Sequence, residues 1–284
     1  MSPPATPNLD ERTVAGFGDE WSTFDQSAVP VDELHATFRA YFTDFPWHEL
    51  PADAEGFDLG CGSGRWARFV APRVGVLHCI DASDAALEVA RQSLRDEPRC
   101  RFHLASVDTM ALADGSMDFG YSIGVLHHVP DTQRAIASAA RTLKPGAPLL
   151  LYLYYALENR PWWYRALWRA SDRGRRVFAA LPHRAKVAGS TAIAAGVYVP
   201  LAGLARLQER RGRHVEGLPL SFYRHRSFQT IRTDAYDRFA TRVEQRFTAS
   251  QIRSMMAAAG LEDIVFSSQP PYWCAVGRRS RSGA

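Results

Sequence analysis

Gly56-Phe57-Asp58-Leu59-Gly60-Cys61-Gly62-Ser63-Gly64 sets an acidic residue and three alternating glycines at the exit of a short apolar strand. Glycine serves where backbone turns with positive φ or must admit a ligand without a Cβ in the way. The helix expected from about Arg65-Trp66 offers unpaired N–H groups at its start. The loop therefore reads as a nucleotide-type cofactor site, and its spacing narrows the choice. A dinucleotide fingerprint places its third glycine three residues after the second, whereas here Gly62 is followed by Gly64 and then Arg65. Asp58, two places before the first glycine, suits an ammonium group and would repel a pyrophosphate.

Outward from the loop, Val74-Gly75-Val76-Leu77-His78-Cys79-Ile80-Asp81 is an apolar strand that ends in a carboxylate about 20 residues beyond the glycines, the placement for holding two ribose hydroxyls. A helix from Asp84 to about Arg95 leads to the strand Phe102–Val107, the turn Asp114-Gly115-Ser116-Met117-Asp118 and the strand Phe119–Ile123. Another helix and Leu143-Lys144-Pro145-Gly146 precede Pro148–Tyr155. Strands alternating with helices over this length predict a parallel sheet covered on both faces.

Residues 56–155 resemble the core of the class I S-adenosylmethionine-dependent methyltransferases. Four ordered motifs carry the resemblance: D-x-G-x-G-x-G at Asp58–Gly64, the acid Asp81, the stretch from Asp114 to the L-H-H at Leu126-His127-His128, and L-K-P-G at Leu143–Gly146. The resemblance implies a Rossmann-like, seven-stranded, mostly parallel α/β sheet with an antiparallel last strand. Glu262–Phe266 and Tyr272–Val276 are the expected antiparallel closing strands. It implies S-adenosyl-L-methionine as cofactor, with S-adenosyl-L-homocysteine as product. The cofactor would be held by Asp58, Gly60, Cys61, Gly62, Gly64, Asp81, Ala82, Ser106, Val107, Asp108, Ser122 and Ile123. Ser106 stands where the family commonly has an Asp for the adenine amino group, and Asp108 is the substitute. After the fourth strand this chain has Ile123-Gly124-Val125-Leu126 where amide and nucleobase N-methylating relatives carry N-P-P-Y or D-P-P-Y, which disfavours those acceptors.

Similar sugar and small-molecule O-methyltransferases use the first histidine of L-H-H as base, so His127 is assigned that role, with His128 beside it. An imidazole titrates near neutrality and lies here at the carboxyl edge of the sheet. Tyr154, Tyr155, Tyr223, His225 and Arg232 are the expected acceptor-binding residues. No His, Cys and carboxylate set has metal-ligand spacing, so the reaction is expected to be metal-independent.

With 284 residues, 46% of them hydrophobic, the chain has material for one main domain and a sizeable insertion. The expected divisions are a disordered tail (1–16), a helical lid (17–50) closing Phe17, Trp21 and Phe24 over the cofactor, the core (51–156), a helical cap (157–240), and a C-terminal helix with closing strands (241–284). Cys61, Cys79, Cys100 and Cys274 form no C-x-x-C pair and read as buried free thiols of a cytoplasmic protein. Two lysines against 32 arginines read as the codon bias of a GC-rich bacterial genome.

Charge is uneven. From Arg160 to Ala240 there are 16 Lys or Arg against five Asp or Glu, and the remainder of the chain is net acidic. An anionic or glycosylated acceptor, or a membrane surface, suits such a stretch. Val187–Ala205 contains no charge, but its small residues, Pro200 and basic flanks favour a buried or interfacial cap helix over a membrane span. The sequence thus predicts methylation, most readily O-methylation, of a small sugar-containing or specialised metabolite. The alternatives it leaves open are a cofactor-binding protein of another activity, pericyclase-like, and an RNA methyltransferase that grips phosphates with the basic cap.

Overall fold

The computed structural model describes residues 7–281 apart from positions 25 and 27. The chain divides into two compact units. Unit 1 holds the sheet and comprises, within the described residues, 7–21, 35–156 and 243–281; unit 2 comprises Ser22–Leu34 and Leu157–Arg242.

In unit 1 the strands are β1 (Glu55–Leu59), β2 (Val76–Asp81), β3 (Cys100–Leu104), β4 (Phe119–Ile123), β5 (Pro148–Tyr152), β6 (Leu261–Phe266) and β7 (Cys274–Arg279), in the order β3-β2-β1-β4-β5-β7-β6. The first five pair in parallel, and β7 is antiparallel to both β5 and β6. Only β7 therefore opposes its neighbours' direction, and it starts at Cys274, two residues later than expected. The helices are α1 (Glu11–Thr23), α2 (Val31–Tyr41), α3 (Ala67–Val70), α4 (Asp84–Ser93), α5 (Thr132–Arg141) and α10 (Ala249–Ala258). The strands alternate sides, as a two-residue period requires. Leu77, Cys79, Phe119 and Tyr121 pack with Phe38, Phe42, Val70 and Leu87. Phe57, Leu59, Leu149 and Leu151 pack with Ile136, Leu143, Ile252 and Met256.

The two central strands fit through a reciprocal arrangement. Gly56 pairs with Phe119, and Phe57 pairs with Gly120. A Cβ on Gly56 would lie 2.2 Å from the Phe119 ring, and one on Gly120 would lie 2.1 Å from the Phe57 ring. Each phenylalanine thus covers the other strand's glycine, and the two rings belong to cores on opposite faces of the sheet.

The N-terminal expectation needs correction. Residues 1–6 of the expected tail lie outside the described residues, but residues 7–16 are described and are helical from Glu11. Asn8 is buried; its side chain donates to Asp131 O at 2.7 Å and accepts from Asp131 N at 2.7 Å. Asp10 then receives Thr13 N at 2.8 Å at the start of α1. One asparagine satisfies a backbone donor and acceptor 123 residues away, which fixes a segment that composition alone marks as a tail.

Unit 2 contains α6 (Trp162–Phe178), α7 (His183–Ile193), a π-helical turn (Ala194–Tyr198), α8 (Val199–Arg210) and α9 (Phe228–Ala240). Its core joins Ala194 and Tyr198 to Ile231 and Ala235. Arg175 is buried, donates to Asp172 Oδ1 at 2.7 Å and to Thr241 O at 2.6 Å, and so ties α6 to the end of α9. Burial alone would raise the Asp172 carboxyl; the bond and charge of Arg175 outweigh it and hold the group below the usual carboxylate range. The uncharged stretch is not a buried helix: Val197, Val199, Leu201 and Leu204 are exposed, and only its Ser190-Ala194-Tyr198-Ala202-Ala205 stripe is inside.

Overpacking a close-packed interior costs about 1–3 kcal/mol or more. Gly120→Ala is therefore expected to destabilise the protein by at least that much in urea unfolding, whereas Gly174→Ala, where a Cβ meets nothing within 4 Å, is expected to be neutral or mildly stabilising.

Candidate functional site

The loop after β1 is built from backbone. Gly60, Gly62 and Gly64 adopt φ of +80°, +54° and +75°, a region that non-glycine residues enter at a cost. Gly60 N and Cys61 N donate to Ile80 O at 2.8 and 3.0 Å. Asp81 completes the fastening, because its Oδ2 accepts from Gly62 N and its Oδ1 from Ser83 N, both at 2.9 Å. The acid at the end of β2 and the glycine loop are thus one constellation. Burial raises the Asp81 pKa against the lowering effect of N–H bonds from Ser83, Gly62 and Ala82. Ser63 Oγ is buried with no hydrogen-bond partner among the described residues, a polar atom in the loop that a ligand can satisfy.

Asp58 lies beneath the loop, 1% exposed, and accepts from Tyr121 Oη at 2.9 Å. Tyr121 is its direct partner on β4. Burial, only partly offset by Tyr121 and reinforced by Asp81, pushes the Asp58 carboxyl up to about 8, while Arg65 acts to lower it. The group is therefore mainly protonated at neutral pH and is drawn into its ionised form by a cation placed beside it.

Helix α1 crosses the carboxyl ends of the strands. Trp21 lies against Gly62, where a Cβ would come within 2.9 Å of the indole, and Arg65 stacks on that indole at 5.1 Å. One helical turn earlier, Phe17 meets the His128 ring edge-on at 4.9 Å. Gly18 lies between them, where a Cβ would meet Ser83 Oγ at 2.7 Å. The i, i+4 spacing puts Phe17 and Trp21 on one face. Phe24, the third expected lid residue, instead packs with Tyr236 and Ala240 inside unit 2.

At the exit of β4, His127 is wholly buried, and neither ring nitrogen has a hydrogen-bond partner among the described residues. Its ring stacks on Tyr154 with centroids 3.8 Å apart and lies 4.0 Å from that of His128. Burial first, then His128 and Arg246, lowers the His127 pKa well below the usual imidazole range, so the ring is neutral. His128 differs: its Nδ1 donates to Val243 O at 2.5 Å. Arg246 lies over the Tyr154 ring at 5.0 Å. Tyr155 contacts Tyr272 and Trp273.

The remaining expected residues separate. Val107 and Ile123 are core, Ala82 is half-buried at the end of β2, and the Ser122 hydroxyl donates to Leu59 O at 2.7 Å, joining β4 to β1. Ser106 turns inward on its own loop, its hydroxyl 3.1 Å from Thr109 Oγ1. Asp108 Oδ2 accepts from both Asn8 N and Arg134 at 2.8 Å, which makes it an anchor of the N-terminal segment. Tyr223, His225 and Arg232 belong to unit 2. There Tyr223 packs on Tyr198, His225 Nε2 and Glu209 Oε2 lie 2.6 Å apart, and Arg232 stacks on Phe24. Sequence reasoning missed Tyr121, Ser63 and Arg246. Of these, Tyr121 is brought opposite Asp58 by the pairing of β4 with β1, a register that the sequence does not mark.

Residues 57–151 match the family model described as a methyltransferase domain. With the sheet order and the glycine loop, this makes residues 57–151 a methyltransferase domain with the class I S-adenosylmethionine-dependent fold. It is similar to a ubiquinone biosynthesis O-methyltransferase of Alkalilimnicola ehrlichii, 36% identical over 162 residues, covering 53% of this chain and 64% of the relative. It is also similar to phosphoethanolamine N-methyltransferase 2 of Caenorhabditis elegans, 34% identical over 100 residues, covering 34% of this chain and 23% of the relative. Among solved structures, a chain of the complex between the Haloferax volcanii Trm112 methyltransferase activator and a methyltransferase shares the fold, with a TM-score of 0.53 at 15% identity, covering 95% of this chain and 99% of that one. The chain spans about a quarter to two thirds of the length of the curated relatives it matches.

Binding of a cation beside Asp58 expels its proton, so affinity for S-adenosylmethionine is expected to rise by on the order of tenfold per pH unit and level off above about 8. Titration calorimetry across this range, in buffers of different ionisation enthalpy, checks both the slope and the released proton. Asp58→Asn is expected to flatten the profile.

Proposed function

We propose that the protein is a methyltransferase that transfers a methyl group from S-adenosylmethionine to a hydroxyl of a small molecule, with His127 as the base. The single observation behind this reading is His127 itself, a neutral imidazole, fully buried and stacked on Tyr154, with both nitrogens unpartnered among the described residues. A buried polar group without a partner costs about 1–3 kcal/mol, and such a cost is typical of a functional position.

The loop residues fit the cofactor. Asp81 offers a carboxylate at the end of β2, the glycines leave their N–H groups approachable, Asp58 accepts positive charge, and Ser63 Oγ supplies a further polar contact. When bound, S-adenosylmethionine supplies an electrophilic methyl group on a sulfonium. The chain contributes orientation, exclusion of water and proton removal. Trp21 and Phe17 shield the loop and the histidine pair. His127 takes the acceptor's proton; the same Arg246 charge that keeps the free imidazole neutral also opposes keeping that proton. His128, fixed through Val243 O, holds its neighbour's ring in place. Tyr154 presents the histidine, and Tyr155 extends the aromatic wall. The acceptor's identity, sugar-containing or another specialised metabolite, rests on the resemblance of the L-H-H segment to small-molecule O-methyltransferases.

Asp81→Ala is expected to abolish cofactor binding in calorimetry, because it removes the ribose acceptor and releases Gly62. His127→Ala is expected to retain that binding and to lower turnover by roughly 10²-fold or more. Unchanged turnover in His127→Ala would remove the base assignment while leaving the methyltransferase reading intact. The acidic limb of the wild-type rate profile is expected well below pH 6.5, because burial depresses the His127 pKa.

A further inference from the structure

Helix α6 shows three stripes at helical spacing. Tyr164, Trp168, Asp172 and Arg175 face inward. Trp163, Leu167, Ala170, Gly174 and Val177, continued by Leu181 after the helix, recur at intervals of three and four and are all exposed; Leu167 is 56% and Val177 is 73% exposed. Beside them run Arg165, Arg169, Arg173 and Arg176, also exposed, with Trp162 at the start of the helix 74% exposed. The only acid on the helix, Asp172, is turned inward and held by Arg175.

A second element of the same unit repeats the pattern independently. His183–Arg210 is one continuous run of 28 helical residues, long and apolar enough by length and composition to cross a membrane. Its inner stripe is committed, since Ala194 and Tyr198 pack on Ile231 and Ala235, so the folded helix lies along α9. Its outer side from Val197 to Leu204 is Val, Leu, Pro and Gly, with Arg184 and Lys186 before the uncharged stretch and Arg206, Arg210 and Arg211 after it.

We propose that these faces of unit 2 bind the surface of an anionic lipid bilayer. Exposed apolar stripes bordered by arginines, with tryptophans at a helix end, are the pattern of helices that lie in the headgroup region. There the arginines meet lipid phosphates and the apolar side chains reach the acyl boundary. A protein partner is fixed in register by paired polar groups across an interface, and the uncharged face offers none over a length of about 28 Å. The cationic borders complement negative charge, which selects anionic over zwitterionic lipid. This surface is separate from the methyl-transfer residues, so its test does not depend on activity.

The full chain is incubated with vesicles of phosphatidylcholine alone or of equal parts phosphatidylcholine and phosphatidylglycerol, and bound protein is measured by flotation. Binding to the anionic vesicles is expected to be at least tenfold tighter and to weaken with salt. Trp163→Glu with Leu167→Glu, and separately Leu204→Glu, are each expected to reduce partitioning about tenfold or more. Arg165→Gln, Arg169→Gln and Arg173→Gln combined are expected to reduce it roughly 100-fold on anionic vesicles only. Thermal melting and cofactor titration establish that each variant is folded. Absence of anionic-vesicle binding, or undiminished binding by all the variants, overturns the proposal. So does resistance to alkaline carbonate extraction, which marks a spanning helix, or concentration-dependent self-association that the same substitutions abolish without any vesicle binding.

Discussion

The candidate site depends on one carboxylate. Asp81 accepts from the loop at Gly62 and from the next helix start at Ser83, so the chain after β1 and the chain after β2 are pinned to a single side chain. Loop curvature follows from the glycines; Gly60 N and Cys61 N hold its start to Ile80 O, and Asp81 fastens its middle at Gly62. Asp58 beneath it holds its proton because of burial, against the bond from Tyr121 on the neighbouring strand, which favours the carboxylate. Two acids close together, one tied to N–H groups and the other protonated, coexist without the repulsion that two bare carboxylates would suffer.

The same division of roles appears in the histidine pair. His128 is spent on structure, its Nδ1 bound to a backbone carbonyl and its edge covered by Phe17. His127, one residue earlier, is left with aromatic contacts alone. Adjacent residues of one type thus differ through the hydrogen bonds their rings make, and the desolvation of burial and the charge of Arg246 act on the one without partners.

Much of unit 1 is legible in the sequence because its signals are local and periodic. The glycine spacing, the terminal Asp81 and the apolar strands predict the loop and the sheet, and L-H-H locates the histidines. What escapes are contacts made across the sequence. Asn8 clasps Asp131 and meets Asp108, so a described part of the expected tail is held in place and Asp108 serves as its anchor. Ser106 and Ser122 carry the right polarity, but neighbouring backbone and side-chain groups take up their hydroxyls. Register, which local sequence leaves unspecified, pairs Tyr121 with Asp58 and sets Phe57 over Gly120. In the cap, the composition of 187–205 fits both a buried and an interfacial helix, and only the position of α9 decides which stripe is covered.

Unit 2 is assembled from two stretches of chain, residues 22–34 and 157–242, separated by most of the sheet. It therefore cannot be exchanged as a single cassette inserted after β5. A recombination event that replaced the later stretch alone would leave Phe24 facing a foreign partner in place of Tyr236. Variation of this cap among related chains is thus constrained to proceed residue by residue, or by paired exchanges on both sides of the core, and the codons for residues 22–34 are bound to evolve in step with those for 157–242.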